Sequence, residues 1–150
     1  MKKLFGILAL GIIAATSPLK ASTGQSFLEE RYKAALNEMV QKVRNTPDPS
    51  AKREILQHFI LHMRDGLEKA KGMESISGTD RNTLQVVADK YSTYNNELNG
   101  QAGFNRVPDS NLNEFAGFIR QGMEQAPMGG GVYLSGGALL VIIILLVLVL

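Results

Sequence analysis

Residues 132–150 read VYLSGGALLVIIILLVLVL, without one charged side chain. At 1.5 Å rise per residue a helix of that length is about 28 Å long, close to the roughly 30 Å hydrocarbon core of a bilayer. Seven of the nineteen residues are β-branched (Val132, Val141, Ile142, Ile143, Ile144, Val147 and Val149), a bias that in water favours strands. In lipid that preference is overridden. Every backbone N–H and C=O must be paired within the segment, and a lone segment achieves this only as a helix. The run therefore predicts a C-terminal single transmembrane helix, an anchor spanning 132–150.

The N-terminal end carries a second apolar stretch of different design. Met1-Lys2-Lys3 precedes LFGILALGIIAA, and Thr16-Ser17-Pro18-Leu19-Lys20-Ala21 follows. A short positive start, a twelve-residue apolar run and an exit of small residues are the anatomy of a secretory signal peptide. The run is too short to span a bilayer comfortably. Cleavage after Ala21 is expected, giving a signal peptide over 1–21. The MKK start and compact apolar run fit bacterial export, and Lys2 and Lys3 stay cytoplasmic. The expected location is the bacterial inner membrane, single-pass, with the intervening domain facing the periplasm or cell exterior.

Charge and cysteine content remove several function classes. The chain of 150 residues has a formal charge of +2 from 16 basic and 14 acidic residues. Setting aside Lys2, Lys3 and Lys20 of the signal segment leaves 13 basic against the same 14 acidic. No basic cluster is available for nucleic acid, so no nucleic-acid partner is expected. The chain contains no cysteine, which rules out disulfides, thiolate catalysis and Cys-ligated zinc or iron–sulfur sites. Stability has to come from packing.

Residues 22–126 show helical periodicity and no convincing strand alternation. A first helix is expected over 26–44, begun by a capping box of Ser26 and Glu29. Its apolar stripe is Phe27, Leu28, Tyr32, Ala35, Leu36, Met39, Val40 and Val43. Asp48 as cap with Pro49 at the first helical position starts a second helix over 49–71, with Leu56, Phe59, Ile60, Met63, Leu67 and Ala70 inward. Ser77 or Thr79 caps a third to about Leu98, carrying Leu84, Val87, Ala88, Tyr91, Tyr94 and Leu98. Asn99-Gly100 ends it, and Phe104 and Val107 of the following loop are expected to tuck against the bundle. Asp109 or Ser110 caps a fourth helix to about Ala126, with Leu112, Phe115, Ala116, Ile119 and Met123 inward. Gly66, Gly117 and Gly122 fall inside helices at a cost in propensity. The fold class is all-α: a small exported antiparallel bundle of about four helices, followed by a Pro/Gly hinge at 127–131 and the transmembrane helix.

The search for chemistry yields one constellation. Glu54, His58, His62 and Asp65 share one face of the second helix, and His-x-x-x-His is the spacing that lets two imidazoles share a metal ion. This is the candidate metal site, and metal binding is one alternative function. There is no third histidine, no His-Glu-x-x-His, no Gly-x-Ser-x-Gly and no Walker-type glycine loop. No catalytic residues, cofactor or small-molecule substrate are therefore expected, and the chain is read as non-enzymatic.

The anchor offers a contact surface of its own. Gly131 and Ser135 form a small-x-x-x-small pair, continued by Gly136, Gly137 and Ala138, which permits close helix–helix approach in a membrane. The expected partners are the lipid bilayer and a membrane-associated protein or a second copy of the chain. The function expected is protein–protein interaction or oligomerisation at the envelope. The tail also resembles in layout the C-terminal sorting signals that processing enzymes cut, because a glycine-rich spacer precedes an apolar run. It lacks their Leu-Pro-x-Thr-Gly motif and terminal arginine cluster. A surface protein with a processed tail is thus a further alternative.

Overall fold

Local signals in the sequence bound the second and third helices of the computed structural model, which describes residues 20–125 and 136–149. The expected signal peptide up to residue 19, the hinge at 127–131 and residues 132–135 and 150 of the expected anchor lie outside the described residues. Among the described residues there is no strand.

Helix α1 runs Lys20–Asn45, beginning six residues before the expected start. Nothing in KASTGQ stops a helix, and extending an existing helix avoids the cost of nucleation. Ser26 consequently lies within α1, and the expected capping box does not form a helix start. Thr46 closes the other end, its hydroxyl donating to the Lys42 carbonyl at 2.8 Å, before Pro47.

Helix α2, Pro49–Lys71, starts as the sequence predicts: Asp48 Oδ2 accepts from the Ala51 N–H at 2.9 Å, with Pro49 in the first turn. Helix α3, Gly78–Asn99, is capped by Ser77, whose hydroxyl accepts from the Asp80 N–H at 3.1 Å. It stops at Gly100, whose φ of +69° places it in the left-handed region that glycine enters without strain.

The loop that follows corrects one expectation. Ala102 and Gly103 both take positive φ, +52° and +87°, and the chain turns outward there. Phe104 is left 41% exposed. Val107 does return, packing against the core while its N–H donates to the Glu97 carbonyl. A 3₁₀ turn, Asp109–Asn111, then leads into α4, Leu112–Gln125. Neither Asp109 nor Ser110 caps it. The Asp109 carboxylate faces Arg53, and the Ser110 hydroxyl donates to Asn111 Oδ1. The last helix, α5, is Gly136–Val149.

Three cross-contacts fix the sense of α2 against α3: Arg53 meets Leu98, Phe59 meets Tyr91, and Lys71 meets Gln85. Numbers rise on one helix as they fall on the other, so the pair is antiparallel. The same holds for α1 and α4, through Tyr32 with Met123 and Asn37 with Arg120. The inward stripes predicted for α2, α3 and α4 are all buried. In α1 the stripe is buried from Tyr32 onward, whereas Phe27 stays 55% exposed beneath the Arg31 guanidinium. Fully burying one such Leu, Ile or Met contributes about 1.5–3 kcal/mol.

Helix α5 packs on this assembly. Ala138, Ile142 and Ile143 are buried, and Val141 and Leu145 pack at the margin of the same core. It lies against α1 and α2, with a smaller contact on α3. Its fourteen residues make a helix of about 21 Å. Among the described residues no helix is long and apolar enough to cross a membrane.

Candidate functional site

The seat of α5 is built around a missing side chain. Position 66 follows Phe59 by one heptad, so the α2 stripe carries it inward, and there the chain has glycine. A Cβ at Gly66 would collide with the methyls of Leu145 and stand 3.2 Å from its Cγ. The bare backbone lets α5 approach, and Leu145 fills the space. Of the small residues expected to pack in the membrane, Ala138 is fully buried in the protein core. Gly136 and Gly137 open α5, while Gly131 and Ser135 lie outside the described residues.

Two large apolar side chains of α5 stand outside this seat. Ile144 is 51% exposed and Leu148 68% exposed. A helix that is apolar all round demands cover on every side, and the bundle leaves Ile144 and Leu148 without it.

A buried polar contact joins α1 to the end of α4. The Tyr32 hydroxyl donates to the Met123 carbonyl at 2.8 Å, satisfying one orphan acceptor near the end of α4. Burial, with smaller contributions from Tyr94 and Glu124, pushes the Tyr32 phenol well above its ordinary value. Tyr91 is wholly buried, and its hydroxyl has no hydrogen-bond partner among the described residues; burial pushes it up as well. Tyr91, Tyr94, Phe115 and Phe118 continue from Phe59 toward the surface with ring centroids 5.8–6.4 Å apart, edge-on in every pair except Phe115–Phe118, which is tilted by 30°; edge-to-face is a preferred aromatic geometry.

Arg53 is a residue that reading by composition misses. Its guanidinium donates to the carbonyls of Leu98 and Val107 at 2.7 and 2.6 Å and to Asp109 at 2.6 Å. One side chain thus ties the start of α2 to the end of α3 and to the loop before α4. The hydrogen bond from Arg53 holds the Asp109 carboxyl below its ordinary value. A signal was present: Arg53 precedes Leu56, Ile60, Met63 and Leu67 on the same inward spacing, so its stem had to enter the core.

The four residues of the candidate metal site are distributed rather than joined. His58 and His62 stack at a centroid distance of 5.9 Å, tilted by 33°. Asp65 is paired with Arg64 at 2.8 Å. Glu54 and His58 line a cleft of about 460 Å³ between α1 and α2, floored by Met39, Ile55 and Phe59. Among the described residues no three His, Cys, Asp or Glu side chains are grouped so as to hold a metal ion.

Compared with known proteins, the chain matches no family model, no curated protein and no solved structure. The functional reading accordingly rests on the residues themselves.

Proposed function

We propose that the chain is an exported, membrane-anchored helical module of a bacterial envelope, acting by protein–protein interaction or oligomerisation rather than by catalysis. One observation carries this reading: the outward face of α5, with Ile144 and Leu148 more than half exposed. Exposed large apolar side chains gathered on one surface mark a membrane or protein contact. Here they belong to a nineteen-residue run free of charge. Lipid covers such a run completely, which the bundle does not. The signal-like N-terminus delivers the domain to the same membrane from the far side of which the anchor holds it, and the short Pro/Gly hinge keeps the domain at the bilayer surface. Its partners are then themselves at the membrane.

The test is alkaline carbonate extraction of membranes from cells producing the full chain. The native chain stays in the pellet. The double variant Ile144→Asp/Leu148→Asp moves to the soluble fraction, because each carboxylate at bilayer depth costs on the order of 3 kcal/mol while both positions face outward on the folded bundle. Extraction of the native chain itself into the supernatant would contradict the proposal.

A further inference from the structure

We propose that α5 is a releasable anchor: a groove formed chiefly by α1 and α2 seats it while the chain is in water, and entry into a bilayer requires it to leave that groove. The inference rests on the membrane reading above and adds to it a mechanism of concealment.

Two observations make the docked and inserted positions exclusive. The first is the fit of the seat, where Gly66 leaves the gap that Leu145 occupies and Ala138, Ile142 and Ile143 are buried. The second is the charge carried by the helix that forms it. Asp65 pairs with Arg64 and Glu68 with Lys71 on the helix that carries Gly66. Asp65, Glu68 and Lys69 are all exposed. A helix seated on Gly66 cannot be lowered into hydrocarbon without taking these charges with it, which a bilayer strongly resists. Insertion of α5 therefore means separation from α2. The six residues 126–131 between α4 and the apolar run include Pro127 and three glycines and reach at most about 20–22 Å when extended, more than the roughly 10–12 Å diameter of a helix, so α5 can leave its seat while α4 stays in place.

Inserting the tail uncovers the apolar floor of the groove, so the surface that receives an apolar helix becomes available only at the membrane. In water the chain's own α5 occupies it and keeps Ala138, Ile142 and Ile143 from solvent.

The chain has no cysteine, so an engineered pair gives a single possible disulfide. In a disulfide each Cβ lies about 3 Å from the partner sulfur, and a Cβ at position 66 would stand 3.2 Å from Leu145 Cγ, the atom a cysteine sulfur replaces. The full-length variant Gly66→Cys/Leu145→Cys is oxidised, mixed with phosphatidylethanolamine–phosphatidylglycerol vesicles and floated, with and without dithiothreitol. The expected result is a bond that forms readily, at least tenfold less floated protein in the oxidised form, and recovery on reduction. Failure of the bond to form, or equal flotation of oxidised and reduced protein, overturns the release. Absence of flotation from the reduced and native chains alike overturns the membrane reading on which it rests. Gly66→Phe provides a second approach: filling the seat is expected to raise flotation above native, and a value at or below native counts against the groove as the site of retention.

Discussion

Leu145 of α5 rests on the backbone of Gly66 in α2, at the point where a methyl group would displace it. This relationship inverts the usual effect of a helix glycine. Replacing an interior glycine by alanine stabilises an unobstructed helix by about 1 kcal/mol. In the native chain Gly66→Ala is expected instead to lower the melting temperature, and in a Leu145→Ala background to raise it. The coupling across the cycle should be about 1–2 kcal/mol, read from chemical denaturation of the four proteins. Additive effects would mean that α5 does not sit on α2.

The two glycines of α4 make a paired prediction. A Cβ at Gly117 would meet nothing within 4 Å, whereas one at Gly122 would collide with the Tyr94 hydroxyl. Gly117→Ala is expected to stabilise the bundle by about 1 kcal/mol. Gly122→Ala is expected to destabilise it by about 1–3 kcal/mol through overpacking. Thermal unfolding followed by circular dichroism compares the two, and equal signs would contradict the seating of Tyr94 against Gly122 of α4.

These glycines also show what the sequence could and could not convey. Apolar residues recurring every three or four positions made the inward faces of α2, α3 and α4 readable residue by residue, because burial of one helix face follows from that spacing alone. Asp48-Pro49, Ser77 and Asn99-Gly100 were readable for the same kind of reason, each being a local solution to unpaired backbone groups. Gly66 was visible only as a local cost, since its justification sits 79 residues away in Leu145. The start of α1 was misplaced because a good capping box carries no force where the helix continues past it. Arg53 was hidden by its charge although its spacing belonged to the core. An all-apolar segment has no polar face to compare, so α5 carried no sequence signal that distinguishes a bundle seat from a bilayer.

Arg53 anchors three backbone segments, and its loss should be felt as one event. Arg53→Ala is expected to cost about 2 kcal/mol, since two carbonyls lose a charged donor. Arg53→Lys should recover little of it, because an ammonium cannot reproduce the fork. Asp109 adds an acid dependence. Its carboxyl is held below the ordinary value of 3.8 by Arg53, so its contribution is present above about that pH and is lost as pH falls through the lowered value. Denaturation midpoints measured between pH 2 and 6 should show a weaker acid dependence in Asp109→Asn than in the native chain.

Tyr32 predicts the alkaline limit. Its phenol is raised above the ordinary value of 10.0, so the unfolded chain ionises first. The hydroxyl's contribution is whole below about pH 10 and falls as pH rises from there toward the raised folded value. Tyr32→Phe should be less stable at neutral pH by about 1 kcal/mol, through loss of the bond to Met123. It should also lose less stability between pH 9 and 11. Parallel curves for the two proteins would show that Tyr32 ionises in the folded state as freely as in the unfolded.

The most direct test of the whole account is the intact mass of the protein isolated from membranes of its host. A signal removed after Ala21 and an anchor retained as a helix predict a mass corresponding to residues 22–150. A mature chain ending between Gly129 and Gly131 would contradict it, because the apolar run would then be a tag that is cut away and not the element that the groove seats and the membrane holds.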